Sequence, residues 1–156
     1  MCGERKEPTM SDEKVIRDLV AGQVAAMKGG DARALAARFA ADAVTFTLAP
    51  PLVNRGAAVV EPDGLVAWFA TFDGPVDYEV TDLVVEVGGD LAFCRSVNRL
   101  SATPVGRSEG FDLWFRSTVC WRKVAGEWLV VHEHTSTPFY MDGSLRAAVD
   151  LRPEVR

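Results

Sequence analysis

After Gly74-Pro75 the chain is written in strands. Four segments are rich in β-branched and aromatic residues: 76–87 (VDYEVTDLVVEV), 91–103 (LAFCRSVNRLSAT), 109–124 (EGFDLWFRSTVCWRKV) and 127–137 (EWLVVHEHTST). Gly88-Gly89-Asp90, a loop around Pro104-Val105-Gly106, and Ala125-Gly126 separate them. Long strands in series with short turns predict an antiparallel meander. Such a sheet must bury one face, and only the first half of the chain is left to cover it.

That first half reads mainly as helix. Ser11 is placed to cap a first helix, with Asp12 and Glu13 at the positive end of its dipole. Val15, Ile16, Leu19, Val20, Val24 and Met27 recur on one stripe, and Gly29-Gly30 ends the helix. Asp31 caps a second helix with Leu35, Ala36, Phe39 and Ala40 inward. Residues 43–49 read as a strand stopped by Pro50-Pro51. A third short helix follows Pro62, with Leu65, Val66, Phe69 and Phe72 on its apolar face. The class is therefore α+β: a curved antiparallel sheet with three N-terminal helices packed on one face. Residues 11–143 form a single domain between a solvated tail, 1–10, and a C-terminal tail, 144–156.

Composition excludes several roles. With 48% hydrophobic and 25% charged residues the chain is globular rather than disordered. Its net charge of −5, with no basic run, argues against nucleic acid as a partner. No apolar stretch is long enough for a membrane span or a signal peptide. Three cysteines, at 2, 94 and 120, make neither a disulfide framework nor a zinc knuckle and suit a reducing cytoplasm. No phosphate-cradling glycine motif and no G-x-S-x-G elbow is present, so no cofactor is implied.

The helix–Gly-Gly-Asp–helix opening, RFAADAVTF, the late TVCWRKVAGEWLVVHEHTSTPF and the tail YMDGSLRAAVDL resemble the nuclear-transport-factor-2-like superfamily. Within it the chain is similar to SnoaL-like and ketosteroid-isomerase-like bacterial proteins. The tract VAGEWLVVHEHTSTPF also resembles the association domain of calcium/calmodulin-dependent kinase. The resemblance implies a cone-shaped, cystatin-like half-barrel whose sheet wraps a small-molecule pocket closed by the helices. It also implies a homodimer through the outer sheet face. The steroid isomerase residues do not carry over. The helix-one Tyr position falls on Gln23, the base position on Thr47 and the oxyanion Asp near Thr118. A threonine is no free base near neutral pH.

The last hairpin supplies the candidate chemistry. A turn on Ala125-Gly126 with unbroken pairing sets Asp112, Trp114, Arg116, Thr118, Cys120, Leu129, Val131, Glu133 and Thr135 on one face. That mixture suits a pocket. The opposite face, Leu113, Phe115, Val119, Trp121, Trp128 and Val130 edged by His132 and His134, suits a dimer interface. One bulge would exchange the faces. Glu133 is the leading general acid or base, with Arg116 as holder of a substrate oxyanion; alternatively the two form a structural ion pair. Asn98 and Thr118 are hydrogen-bonding helpers, and Asp112 is a second partner for Arg116. Gln23, Phe46, Thr47, Phe72, Trp114, Val131 and Thr135 complete the expected pocket. Tyr78 and Tyr140 are hydroxyl donors at its mouth. His132 and His134 share a face, as metal ligands do, but no third ligand is apparent and no metal is expected.

Overall fold

The computed structural model describes residues 11–154; the tail expected over residues 1–10 lies outside them. Helix α1 (Asp12–Lys28) starts where Ser11 accepts a hydrogen bond from the Lys14 amide at 3.2 Å. Its buried stripe is Ile16, Val20 and Met27, while Leu19 stays exposed. Asp31 caps α2 (Ala32–Ala37) through the Ala34 amide, at 3.1 Å. The chain then turns directly into β1 (Phe39–Phe46), so the second helix is shorter and the strand begins earlier than the apolar spacing suggests. A two-residue strand, β2 (Asn54–Arg55), and two short helices, α3 (Ala57–Val60) and α4 (Asp63–Phe69), follow.

The meander is β3 (Asp77–Gly88), β4 (Leu91–Ala102), β5 (Phe111–Val124) and β6 (Glu127–Ser136). Sheet order is β2-β1-β6-β5-β4-β3, a curled sheet that does not close. Neighbours pair antiparallel except β1, which runs parallel to β6. Ala125 and Gly126, at φ 50° and 84°, make the two-residue turn between β5 and β6. Positive φ at both centres matches the twist of the flanking strands.

Two apolar clusters fill the space between helices and sheet. Ile16, Val20, Cys94, Val119, Trp121, Trp128 and Val130 pack one end. Met27, Leu35, Tyr78, Leu100 and Phe115, with Trp68, Phe72, Phe111 and Leu113 beside them, pack the other. The buried polar side chains are Thr45, Asn98, Ser117 and Glu133. None belongs to either cluster.

Beyond the strands, the Tyr140 hydroxyl donates to Asp150 and Ala148 is buried. The C-terminal stretch thus folds back on itself, and Tyr140 is committed to that contact. Among the described residues no helix is long and apolar enough to cross a membrane.

Candidate functional site

One irregularity decides what faces inward. From the turn, β5 and β6 pair Val124 with Glu127, Arg122 with Leu129 and Trp121 with Val130. The next pair is Cys120 with His132, so Val131 is an extra residue. This β-bulge shifts the remaining register by one. Glu133 now pairs with Val119 and Thr135 with Ser117, and all four side chains face inward. His132 and His134 turn outward beside Phe46, with ring centroids 4.7 and 5.4 Å from it.

The inner face bounds a cavity of about 510 Å³, a volume ordinary for a small-molecule site. Its walls come from α1 (Gln23, Met27), α2 and its cap (Leu35, Arg38), β1 and the following loop (Thr45, Thr47), and α4 with the next turn (Trp68, Phe72). The strands add Tyr78, Leu100, Phe111, Leu113, Phe115, Glu133 and Thr135. Aromatic rings dominate the apolar part. Trp68 and Phe72 meet edge to face at 5.0 Å, and Phe111 lies 5.9 Å from Phe72.

Glu133 is 9% exposed. Its Oε2 lies 2.5 Å from Nη2 of Arg38, the residue capping the end of α2. The Arg38 carbonyl also accepts from the Val130 amide at 2.9 Å, which ties this corner to β6. Arg38 Nε and Nη1 are buried with no hydrogen-bond acceptor among the described residues. The guanidinium carbon stands 4.6 Å from the Phe39 ring centroid, where the π face offsets part of that loss. Tyr78 accepts a hydrogen bond from Asn98 Nδ2 at 3.0 Å, and Asn98 Oδ1 accepts one from Ser96 Oγ at 2.7 Å. Burial pushes the Tyr78 hydroxyl well above its ordinary pKa, and the nearby Glu133 charge adds to the shift.

Of the residues expected in the pocket, Glu133, Gln23, Thr47, Phe72 and Thr135 line this cavity. Seven others do not. The bulge leaves Asp112, Trp114, Arg116, Thr118 and Val131 on the outer face. There Arg116 is exposed opposite Ser136, and Thr118 is exposed opposite His134. Asp112 binds Arg99 at 3.0 Å. Phe46 stacks on the outer histidines because only alternate β1 residues face in. Asn98 faces inward, yet its amide is spent on Tyr78. The ion pair expected between Glu133 and Arg116 is instead made with Arg38. Likewise the apolar strip expected on the outer face (Leu113 to Val130) is the buried inner face.

Arg38 and Thr45 escaped the sequence argument. Arg38 is the one charge at the junction of the second helix with RFAADAVTF, flanked by apolar Leu35, Ala36 and Phe39. Thr45 follows from alternation two residues before Thr47, and it pairs with Glu133 across the parallel ladder. His132 Nδ1 lies 2.7 Å from the Val44 carbonyl oxygen. Among the described residues no cluster of His, Cys, Asp or Glu is arranged to hold a metal ion.

The comparisons match this architecture. A solved NTF2-like protein of unknown function from Pseudomonas putida KT2440 is 31% identical with a TM-score of 0.79, over 93% of this chain and 100% of that one. A ketosteroid isomerase-like protein from Erwinia carotovora atroseptica SCRI1043 is 22% identical with a TM-score of 0.67, over 82% and 97% of the two chains. A protein from Xanthomonas campestris, named provisionally as a calcium/calmodulin dependent protein kinase II association domain, is 18% identical with a TM-score of 0.68, over 84% and 91%. The last two likenesses show a shared fold. No curated protein matches the chain. The SnoaL-like domain model matches residues 16–140, most of the chain, and the chain belongs to the SnoaL-like domain family of NTF2-like proteins.

Proposed function

We propose that this protein binds an apolar, ring-bearing small molecule and performs cofactor-free proton transfer on it, as an isomerase, cyclase or hydratase would. The observation that carries the reading is a carboxylate, Glu133, on the wall of a cavity whose remaining lining is mostly aromatic and aliphatic. A carboxylate so placed can take a proton from carbon and return it elsewhere. The C–H electron pair moves into a carbon–carbon double bond, and the carbonyl π pair moves onto oxygen. Reprotonation by the Glu133 carboxylic acid restores the carboxylate. Arg38 acts as a positioning residue, fixing the direction of Glu133. Gln23, Thr47 and Thr135 offer hydrogen bonds along the walls.

Deuterium incorporation next to the carbonyl of 2-tetralone in D2O tests this. The protein should speed exchange over buffer, and Glu133→Gln should return it to the buffer rate. Exchange no faster than buffer with the unaltered protein would overturn the reading.

A second reading takes the fold as a non-catalytic ligand-binding or association module. The close Arg38–Glu133 pair favours it, because an ion pair can serve only as a strut. The Xanthomonas relative's name points the same way. Both readings include a homodimer through the outer sheet face. Leu91, Phe93 and Val124 are 59%, 46% and 44% exposed there, which supports such an interface. A cytoplasmic location accords with the free thiols of Cys94 and Cys120.

A further inference from the structure

The outer face of the sheet, opposite the cavity, carries charge that the fold does not use. Strands β4 and β5 place four arginines there: Arg95, Arg99, Arg116 and Arg122. Arg99 is held by Asp77, Glu79 and Asp112, and Arg122 by Asp42. Arg95 and Arg116 are exposed and make no ion pair among the described residues. Carboxylates are not scarce, since the chain has 22 acidic residues against 17 basic ones. The neighbouring acids are simply not directed here. Asp112 goes to Arg99 and Arg152, and Glu86, diagonal from Arg95 on β3, forms no ion pair among the described residues.

Sheet register brings the two free arginines together. Thr118 is paired with Arg95 on one side and with His134 on the other. Arg116 precedes Thr118 by two residues on β5, so all four side chains share one face. All four are exposed. Side chains directly opposite each other have Cβ atoms about 5 Å apart, and diagonal ones about 7–8 Å, a span that a guanidinium covers easily. Two guanidinium forks, a hydroxyl and an imidazole N–H thus surround one point on the sheet, and each can donate a hydrogen bond. Two positive charges are balanced by one dianion, and this many donors suits four oxygens better than the two of a carboxylate.

We infer that the outer face of the sheet binds a phosphate group over Thr118, gripped by Arg95 and Arg116, with Thr118 and His134 as further donors. The group is free phosphate or the end of a small phosphomonoester. The site is across the sheet from the cavity and stands apart from the proton-transfer reading. Where a second copy covers this face, the phosphate also offsets the cost of burying two guanidinium groups without a counter-ion.

Calorimetric titration of the full chain with inorganic phosphate, in chloride buffer, tests the site. Saturable binding of one phosphate per chain is expected. Arg95→Gln and Arg116→Gln should each weaken it about three- to tenfold, and the double variant should abolish it. Arg122→Gln, on the same face but tied to Asp42, should leave the affinity within about twofold. These are surface changes, so every variant should melt within about 3 °C of the unaltered protein in phosphate-free buffer. Phenyl phosphate separates the two sources. Tighter binding than inorganic phosphate marks a phosphomonoester, and equal or weaker binding marks the free ion. No saturable binding of either probe, binding retained in the double variant, or an equal loss in Arg122→Gln would overturn the assignment.

Discussion

Arg38 and Glu133 stand 95 positions apart in sequence, yet Nη2 of the first lies 2.5 Å from Oε2 of the second. The pair joins the end of α2 to the last strand on the cavity wall. Both side chains are largely withdrawn from water, at 15% and 11% exposure. Breaking such a pair leaves one charge without compensation. Arg38→Met should therefore cost about 2–4 kcal/mol of unfolding free energy, toward the low end for buried pairs because some exposure remains. The double variant Arg38→Met/Glu133→Leu should recover much of that loss. Urea denaturation of the single and double variants measures both.

The bulge at Val131 is what turns Glu133 inward. Deleting Val131 removes the extra residue, so Val130 and His132 become ordinary ladder neighbours and every later side chain of β6 keeps its partner and its face. Glu133 and Thr135 stay in the cavity, and His132 and His134 stay outside. The deletion should therefore retain deuterium exchange into 2-tetralone and lower the melting temperature by about 5 °C or less. Exchange rates and thermal melting check the two outcomes.

Asp12 joins the start of α1 to the final hairpin. Its Oδ1 accepts from Trp128 Nε1 and from Lys123 Nζ, each at 3.0 Å. The Trp128 bond first, and then the Lys123 bond, hold its carboxyl below the ordinary carboxylate pKa. A depressed native pKa means that the unfolded chain binds the proton first. The stabilisation is thus complete above the unfolded value of about 4 and fades as pH falls through the lower native one. Asp12→Asn should lower the melting temperature at pH 7, and the gap from the unaltered protein should shrink steadily below about pH 4. Melting curves across that range decide the matter.

The outer face yields a separate expectation. Phe93 is 46% exposed on β4, near Leu91 and the bulged Val131. A charge placed there should break a sheet-to-sheet dimer without touching the core. In size-exclusion chromatography the unaltered chain should elute as a dimer and Phe93→Lys as a monomer, with its melting behaviour otherwise cooperative.

Much of this architecture could be read from residue pattern. Ser11 and Asp31 cap the helices they precede. The four meander strands fall where turn residues and β-branched runs place them, because long alternating segments allow few alternatives. The candidate site was less legible. Glu133 followed from a lone carboxylate in an apolar strand, but its partner did not. Face assignment in a hairpin depends on strict alternation, and one extra residue at Val131 reverses it. Nothing in VVHEH marks which residue is extra, since the bulge satisfies packing of Val130 inside and the bond of His132 to Val44 outside. Arg38 was hidden for another reason. Its partner comes from the parallel β1–β6 side of the sheet, a long-range contact that local spacing does not encode.

The account rests on Glu133 working as a proton acceptor rather than as a strut, and two variants separate those roles. Arg38→Met and Glu133→Gln both break the ion pair, so both should lose stability. Only the second removes the carboxylate. Measured side by side on folded protein, deuterium exchange into 2-tetralone should stay within about tenfold of the unaltered rate in Arg38→Met and fall by about 100-fold or more in Glu133→Gln. Equal exchange rates in the two variants would contradict the account.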